Sequence, residues 1–139
     1  VSERFLIDNS ALQRWRKPKV AEVLDPLHED GVLAVCGPVE IEVMYSARNE
    51  NDAKRLHWFL AGFDYLPMTD EVWDRAKDVQ RQAIAKGNHR ALSMPDLLIA
   101  AAAERHVVTV LHYDQDYDMI AAITGQPMKW VVEAGTADH

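Results

Sequence analysis

The chain has 139 residues, 48% of them hydrophobic and 27% charged, a size and balance that predict one domain with a single sizeable core. Its net charge of −7 gives no electrostatic footprint for general tracking along nucleic acid, although an acidic site that reaches phosphate through bound cations stays open. No apolar run approaches the roughly 18 residues of a membrane span, no signal-peptide pattern precedes the first strand, and the lone Cys36 has neither a disulfide partner nor metal-ligand spacing; a cytoplasmic protein without a membrane partner is expected.

The first predicted strand, Phe5-Leu6-Ile7, ends abruptly at Asp8. In a buried parallel strand Asp8 emerges at the carboxyl end, where open α/β sheets place their ligands. Asp8-Asn9-Ser10 is also a run of good N-caps, and taken alone Asp8 need do no more than start the helix Ala11 to Trp15. Lys17-Pro18 marks a turn, Val20 to Leu24 begins a second helix, and Pro26 is expected to kink or end it. Gly31 closes that unit. Val32 to Cys36 reads as a buried strand, and Pro38 suits the first turn of a helix from Val39 to Arg48. Asn49 to Asp52 is polar and cap-like, a helix follows to Gly62, and Tyr65-Leu66 is a candidate short strand. Thr69 caps a long helix whose Val72, Ala76, Val79 and Ala83 share one face, with Gly87 as its stop. Ser93 to Asp96 opens an alanine-rich helix, Val107 to Leu111 is the clearest strand, and Asp114 to Asp118 leads into a helix around Met119 to Ala122. Met128 to Val132 is a last strand. The alternation predicts an α/β fold with a central, mostly parallel sheet of 4–5 strands flanked by helices. The long helical stretch from Ala53 to Gly87 is expected to form an arm beside the sheet.

Carboxylates fall just beyond strands or in the first turn of the next helix: Asp8, Glu40 and Glu42, Asp96, then Asp114, Asp116 and Asp118. Each has a plain account as a cap or a solvated face, and Ser93-x-x-Asp96 is a capping-box pattern. Jointly they resist it, because parallel strands bring these ends to one sheet edge. Two carboxylates about 4 Å apart at an effective dielectric near 20 repel by roughly 4 kcal/mol. Divalent cations or shared protons must offset that, and hard oxygen donors without a His or Cys cluster point to Mg2+ or Mn2+. Two such ions stabilise the attacking and leaving oxygens of a phosphodiester. Glu40 and Glu42 lie about 200° apart on a helix, so only one can face the site, and periodicity does not choose between them.

The order and context of these acids resemble the PIN domain, and within it the VapC-type toxins of bacterial toxin–antitoxin pairs. The resemblance rests on four pieces that span nearly the whole chain in the family's order: residues 6–12 (Leu-Ile-Asp-Asn-Ser-Ala-Leu), 42–48 (Glu-Val-Met-Tyr-Ser-Ala-Arg), 95–101 (Pro-Asp-Leu-Leu-Ile-Ala-Ala) and 111–121, which runs from Leu111 through Asp114 and Asp116 to Ala121. It implies a PIN-like three-layer fold with Asp8, Glu42, Asp96 and Asp114 as a metal-binding quartet and Asp116 as an auxiliary acid, and it selects Glu42 over Glu40. Asn9 departs from the threonine usual there; Ser10 is retained, to hold the first aspartate or a water at the ion. The implied activity is a Mg2+- or Mn2+-dependent endoribonuclease that uses water activated by the ion and leaves a 5′-phosphate and a 3′-hydroxyl. Arg14, Arg90 and His112, with Arg16, Lys17 and His89, are candidate RNA contacts. The family further implies a homodimer and an antitoxin that covers the site, with Leu56, Trp58, Phe59 and Trp73 of the arm as candidate surface, although core packing is the plainer account of each.

A Rossmann-like phosphotransfer or phosphatase domain, with Asp8 as nucleophile, is the competing enzyme class. It fits less well: Ser10 stands where haloacid-dehalogenase-like enzymes need a second aspartate, and receiver domains want paired acids after the first strand. No glycine-rich phosphate loop is present. A non-catalytic PIN-fold binding module is the third reading, and it leaves the clustered acids without a use.

Overall fold

The computed structural model describes residues 3–139. Five parallel strands, β1 (Phe5–Ile7), β2 (Leu33–Val35), β3 (Asp64–Tyr65), β4 (Thr109–His112) and β5 (Met128–Trp130), form one sheet in the order β3-β2-β1-β4-β5. The helices between them are α1 (Asn9–Leu12), α2 (Pro18–Glu29), α3 (Gly37–Tyr45), α4 (Glu50–Leu60), α5 (Asp70–Lys86), α6 (Met94–Arg105) and α7 (Asp116–Thr124), with a 3₁₀ turn at His89–Ala91.

β1, β2 and β4 are buried along their whole length, which is why they read as continuous apolar runs rather than alternating ones. β1 is central. Phe5 pairs in register with Leu33 on one side and with Thr109 on the other. Strand order therefore runs outward in opposite directions from β1 and β4, and the carboxyl ends of these two strands border the switch point where such sheets open a crevice. α6 returns from the carboxyl edge to enter β4, so its first turn stands beside that crevice. Its alanines, Ala100 to Ala103, are buried and allow the helix to lie close to the sheet.

Two expectations change. α2 continues through Pro26 to Glu29 instead of ending there. Pro26 sits in the last turn, and Glu22, whose carbonyl loses its donor, is exposed, so water can serve in its place. The helical stretch lies beside the sheet: α5 packs on α6 through buried Val72, Ala76, Val79 and Ala83, and the short edge strand β3 lies between α4 and α5.

The clearest predicted strand also starts later than its β-branched run suggests. Val107 is left-handed, at φ +57°, and 89% exposed. The Val107 N–H donates to the Glu104 carbonyl and the Val108 N–H to the Ala103 carbonyl, so the pair closes α6 as a Schellman motif with valine where glycine is usual. A β-branched side chain is disfavoured there. Val107→Gly is expected to raise stability by about 1 kcal/mol in a denaturant melt; a loss of that size would contradict the strain.

Candidate active site

Four segments bring the acids to the carboxyl edge. Asp8 follows β1; its backbone N–H donates to the Leu111 carbonyl of β4, which fixes it at the crevice. Its side chain is 4% exposed and has both oxygens engaged: Oδ2 accepts the Ser10 N–H at 3.0 Å, and Oδ1 accepts the Tyr117 hydroxyl at 2.8 Å. Asp8 is thus the N-cap of α1 through one oxygen, while the other is held by Tyr117 from across the sheet. The Ser10 hydroxyl accepts the Tyr113 N–H at 2.9 Å and ties the ends of β1 and β4 together. Asn9 is half-buried as the first residue of α1.

Asp96 enters from the first turn of α6. Capping falls to Ser93, whose Oγ accepts the Asp96 N–H at 3.2 Å. The Asp96 carboxylate, in a residue only 7% exposed, feels Asp8, Asp114 and Asp116 as well as the Ser93 hydroxyl. Asp114 follows β4, and its Oδ1 accepts the Asp116 N–H at 2.9 Å, a turn that opens α7 and holds the two carboxylates on one side. One oxygen from each of Asp96, Asp114 and Asp116 lies within 4.8 Å of the others. Glu42, half-buried on α3, stands outside that tight group but close enough to feel Asp8, Asp96 and Asp114.

The electrostatics follow from the crowding. Burial first, and then Asp8 and Asp114, push Asp96 up to about 6. Burial and then Asp8, Asp96 and Asp114 push Glu42 up to about 7. Asp116 is raised by burial and by Asp114. Two charges at the outer limit of the group repel by roughly 3 kcal/mol at an effective dielectric near 20. Among the described residues no lysine, arginine or histidine forms an ion pair with any of these five acids. The donors are all hard oxygens, so the cluster is consistent with a metal site. Cys36, at the end of β2, is no ligand candidate beside them: burial pushes its thiol up to about 12.

His112 is corrected. It was expected at the RNA-facing edge, and the structure buries it completely at the end of β4, between Tyr117 at 4.8 Å and Trp130 at 5.1 Å between ring centroids. Its Nδ1 accepts the Asp114 N–H at 3.1 Å, and burial holds the imidazole below its ordinary value, so the neutral ring supports the Asp114 turn from beneath. Arg14 has a structural use: it donates to the Ser10 carbonyl at 2.8 Å and the Ala137 carbonyl at 2.9 Å, and it lies over the Tyr113 ring. Arg90, on the 3₁₀ turn, is exposed, as is Arg16; Lys17 and His89 are half-buried. Tyr117 was not anticipated. It reads in sequence as one more apolar position of α7, and nothing local marks a hydroxyl whose partner is 109 residues away.

The PIN domain family matches residues 5–123 of this chain. Ribonuclease VapC21 of Mycobacterium tuberculosis is 45% identical over 138 residues, covering 99% of this chain and 100% of that protein. Among solved structures, VapBC-1 from nontypeable Haemophilus influenzae superposes with a TM-score of 0.76 at 14% identity, covering 93% of this chain and 98% of that one. A toxin–antitoxin complex from Klebsiella pneumoniae gives 0.72 at 19% identity, covering 95% and 99%. At such low identities the two structures speak for the fold, and the sequence relative carries the finer kinship: the chain belongs to the PIN-domain family, among the VapC ribonucleases.

Proposed function

We propose that this chain, as a single PIN-like domain, is a Mg2+- or Mn2+-dependent endoribonuclease and the toxin of a toxin–antitoxin pair. The observation that carries the chemistry is the convergence of Asp96, Asp114 and Asp116 within 4.8 Å, with no cationic side chain to neutralise them among the described residues. The kinship to VapC21, called a ribonuclease, supplies the substrate class.

In this reading Asp96, Asp114 and Asp116 hold the cation, and Asp8 and Glu42 complete the acidic wall. A divalent cation bound there lowers the pKa of a coordinated water and offsets charge on the phosphate oxygens. The residues around it do the rest. Ser93 caps α6 at the Asp96 N–H, and the Asp114 turn keeps Asp116 beside it. Burial, Asp8, Asp96 and Asp114 push Glu42 up to about 7, and positive charge brought to the wall works against that shift. Exposed Arg90 and Arg16 are suited to RNA phosphates flanking the cleavage point. Cleavage leaves a 5′-phosphate and a 3′-hydroxyl.

An antitoxin and a second copy of the chain complete the proposal. α3 and α5 expose Ile41 at 73%, Tyr45 at 92% and Trp73 at 47%, and a groove lined by Ile41, Met68, Trp73 and Met94 ends at Glu42. A partner segment seated in that groove would reach the acids. Trp58, 79% exposed on α4, is further apolar surface for a protein partner.

The test is to incubate the purified protein with a mixed RNA pool and Mg2+ or Mn2+ and to sequence the new ends. Internal cuts bearing 5′-phosphates are expected, and the Asp114→Asn variant should produce none above background. Products identical for both proteins, or no products at any cation concentration, would reject the ribonuclease reading.

A further inference from the structure

Tyr117 is fully buried in α7 and packs against His112 at a tilt, with ring centroids 4.8 Å apart. A phenylalanine would fill the same space, and a buried hydroxyl is costly unless it is hydrogen-bonded. Among the described residues the hydroxyl makes one hydrogen bond, 2.8 Å to Oδ1 of Asp8. Burial, together with Asp8, Asp96 and Glu42, raises the phenol well above its ordinary value, so it stays a neutral donor. The other oxygen of Asp8 accepts the Ser10 N–H. The carboxylate is therefore held from two sides, once from the helix it caps and once from across the sheet. An ionised carboxylate offers about four lone-pair sites, and these two bonds occupy one on each oxygen, leaving acceptor capacity on both for a cation.

We propose that Tyr117 is a positioning residue: its hydroxyl fixes the rotation of the Asp8 carboxylate so that the free lone pairs face the acids of α6 and α7. The proposal rests on the reading of this edge as a divalent-cation site. A carboxylate bound only by the Ser10 N–H can turn about its Cβ–Cγ bond, and each orientation it visits away from the site lowers cation affinity. Partners that orient metal ligands in this way are worth 10–100-fold in affinity or activity. The aromatic ring belongs to the core; the hydroxyl belongs to the site.

Isothermal titration of the metal-free protein with Mn2+ tests this without reference to turnover. Tyr117→Phe is expected to weaken Mn2+ binding about 10-fold and to keep a cooperative melt. Introduced into Asp8→Asn, where Asp96, Asp114 and Asp116 remain to bind the ion, the same change should add less than about 2-fold. Replacing Tyr117 with 4-aminophenylalanine, which keeps a donor at the ring's far end, should restore most of the affinity. Tyr117→Phe binding Mn2+ as the parent does, or weakening it equally in both backgrounds, would overturn the positioning role while leaving the cation site standing. Failure of the parent protein itself to bind Mn2+ would remove the site, and the proposal with it.

Discussion

Asp96→Asn is expected to lower RNA cleavage by roughly 10³-fold while making the metal-free protein more stable, not less, near neutral pH. The substitution keeps the shape of the side chain and the Ser93 cap, in which Oγ accepts the backbone N–H of residue 96. It removes one charge from a group whose oxygens sit within 4.8 Å, and a buried charge without a cationic partner opposes folding. At about pH 8, where Asp96 is ionised in the parent, the variant should gain about 1–2 kcal/mol in a denaturant melt without divalent ions. Added Mn2+ should then stabilise the parent, by about 2.7 kcal/mol at a hundredfold excess over Kd, and the variant much less. Two melts and one cleavage assay decide the matter. A variant that is destabilised without cations, or that cleaves within tenfold of the parent, refutes the view of Asp96 as a functional charge held at structural cost.

The second large effect is on pH. Asp96 is pushed up to about 6 and Glu42 to about 7, so between about pH 4.5 and 7 the folded chain holds protons that the unfolded chain has already released. Stability must fall as pH rises through that window and level off above it. With an allowance for the solvent that reaches Glu42 and for the coupling of the two acids, the loss from about pH 5 to about pH 8 is roughly 2–4 kcal/mol. For a chain of this length that corresponds to a drop of roughly 10 °C in Tm. The loss should occur only without divalent cations, because Mn2+ replaces the protons in balancing the site. Thermal melts across pH, with EDTA and with Mn2+, provide the measurement. Equal slopes in the two series would show that these carboxylates are neither crowded nor compensated by the ion.

The sequence carried much of this arrangement because β1, β2 and β4 are buried throughout and so read as continuous apolar runs. Phe5-Leu6-Ile7 before Asp8 is legible for that reason, and Gly87 is legible as a helix stop, which the structure holds left-handed at φ +76°. Other features depend on atoms distant in sequence. Asp8 looked like a choice between cap and site, yet a carboxylate has two oxygens: one caps α1, and the other accepts the Tyr117 hydroxyl 109 positions away. His112 looked like a loop cation because it follows an apolar strand, and only the packing of Trp130 from β5 shows that the strand carries it inward. Val107 was misplaced because β-branching favours strands, whereas here the two hydrogen bonds that close α6 outweigh that preference. Tyr117 had no local signal at all.

The pairing of β1 with β4 bears on how the protein comes into being. Phe5 and Thr109 are neighbours in the sheet although 104 positions separate them, and Asp114 and Asp116 follow that pairing. Contacts between such distant positions are slow to form, and during synthesis they cannot form until the later segment has left the ribosome. The centre of the sheet is made first and completed almost last. A nascent chain therefore carries Asp8 and Glu42 long before Asp114 and Asp116 can join them at the carboxyl edge of the sheet.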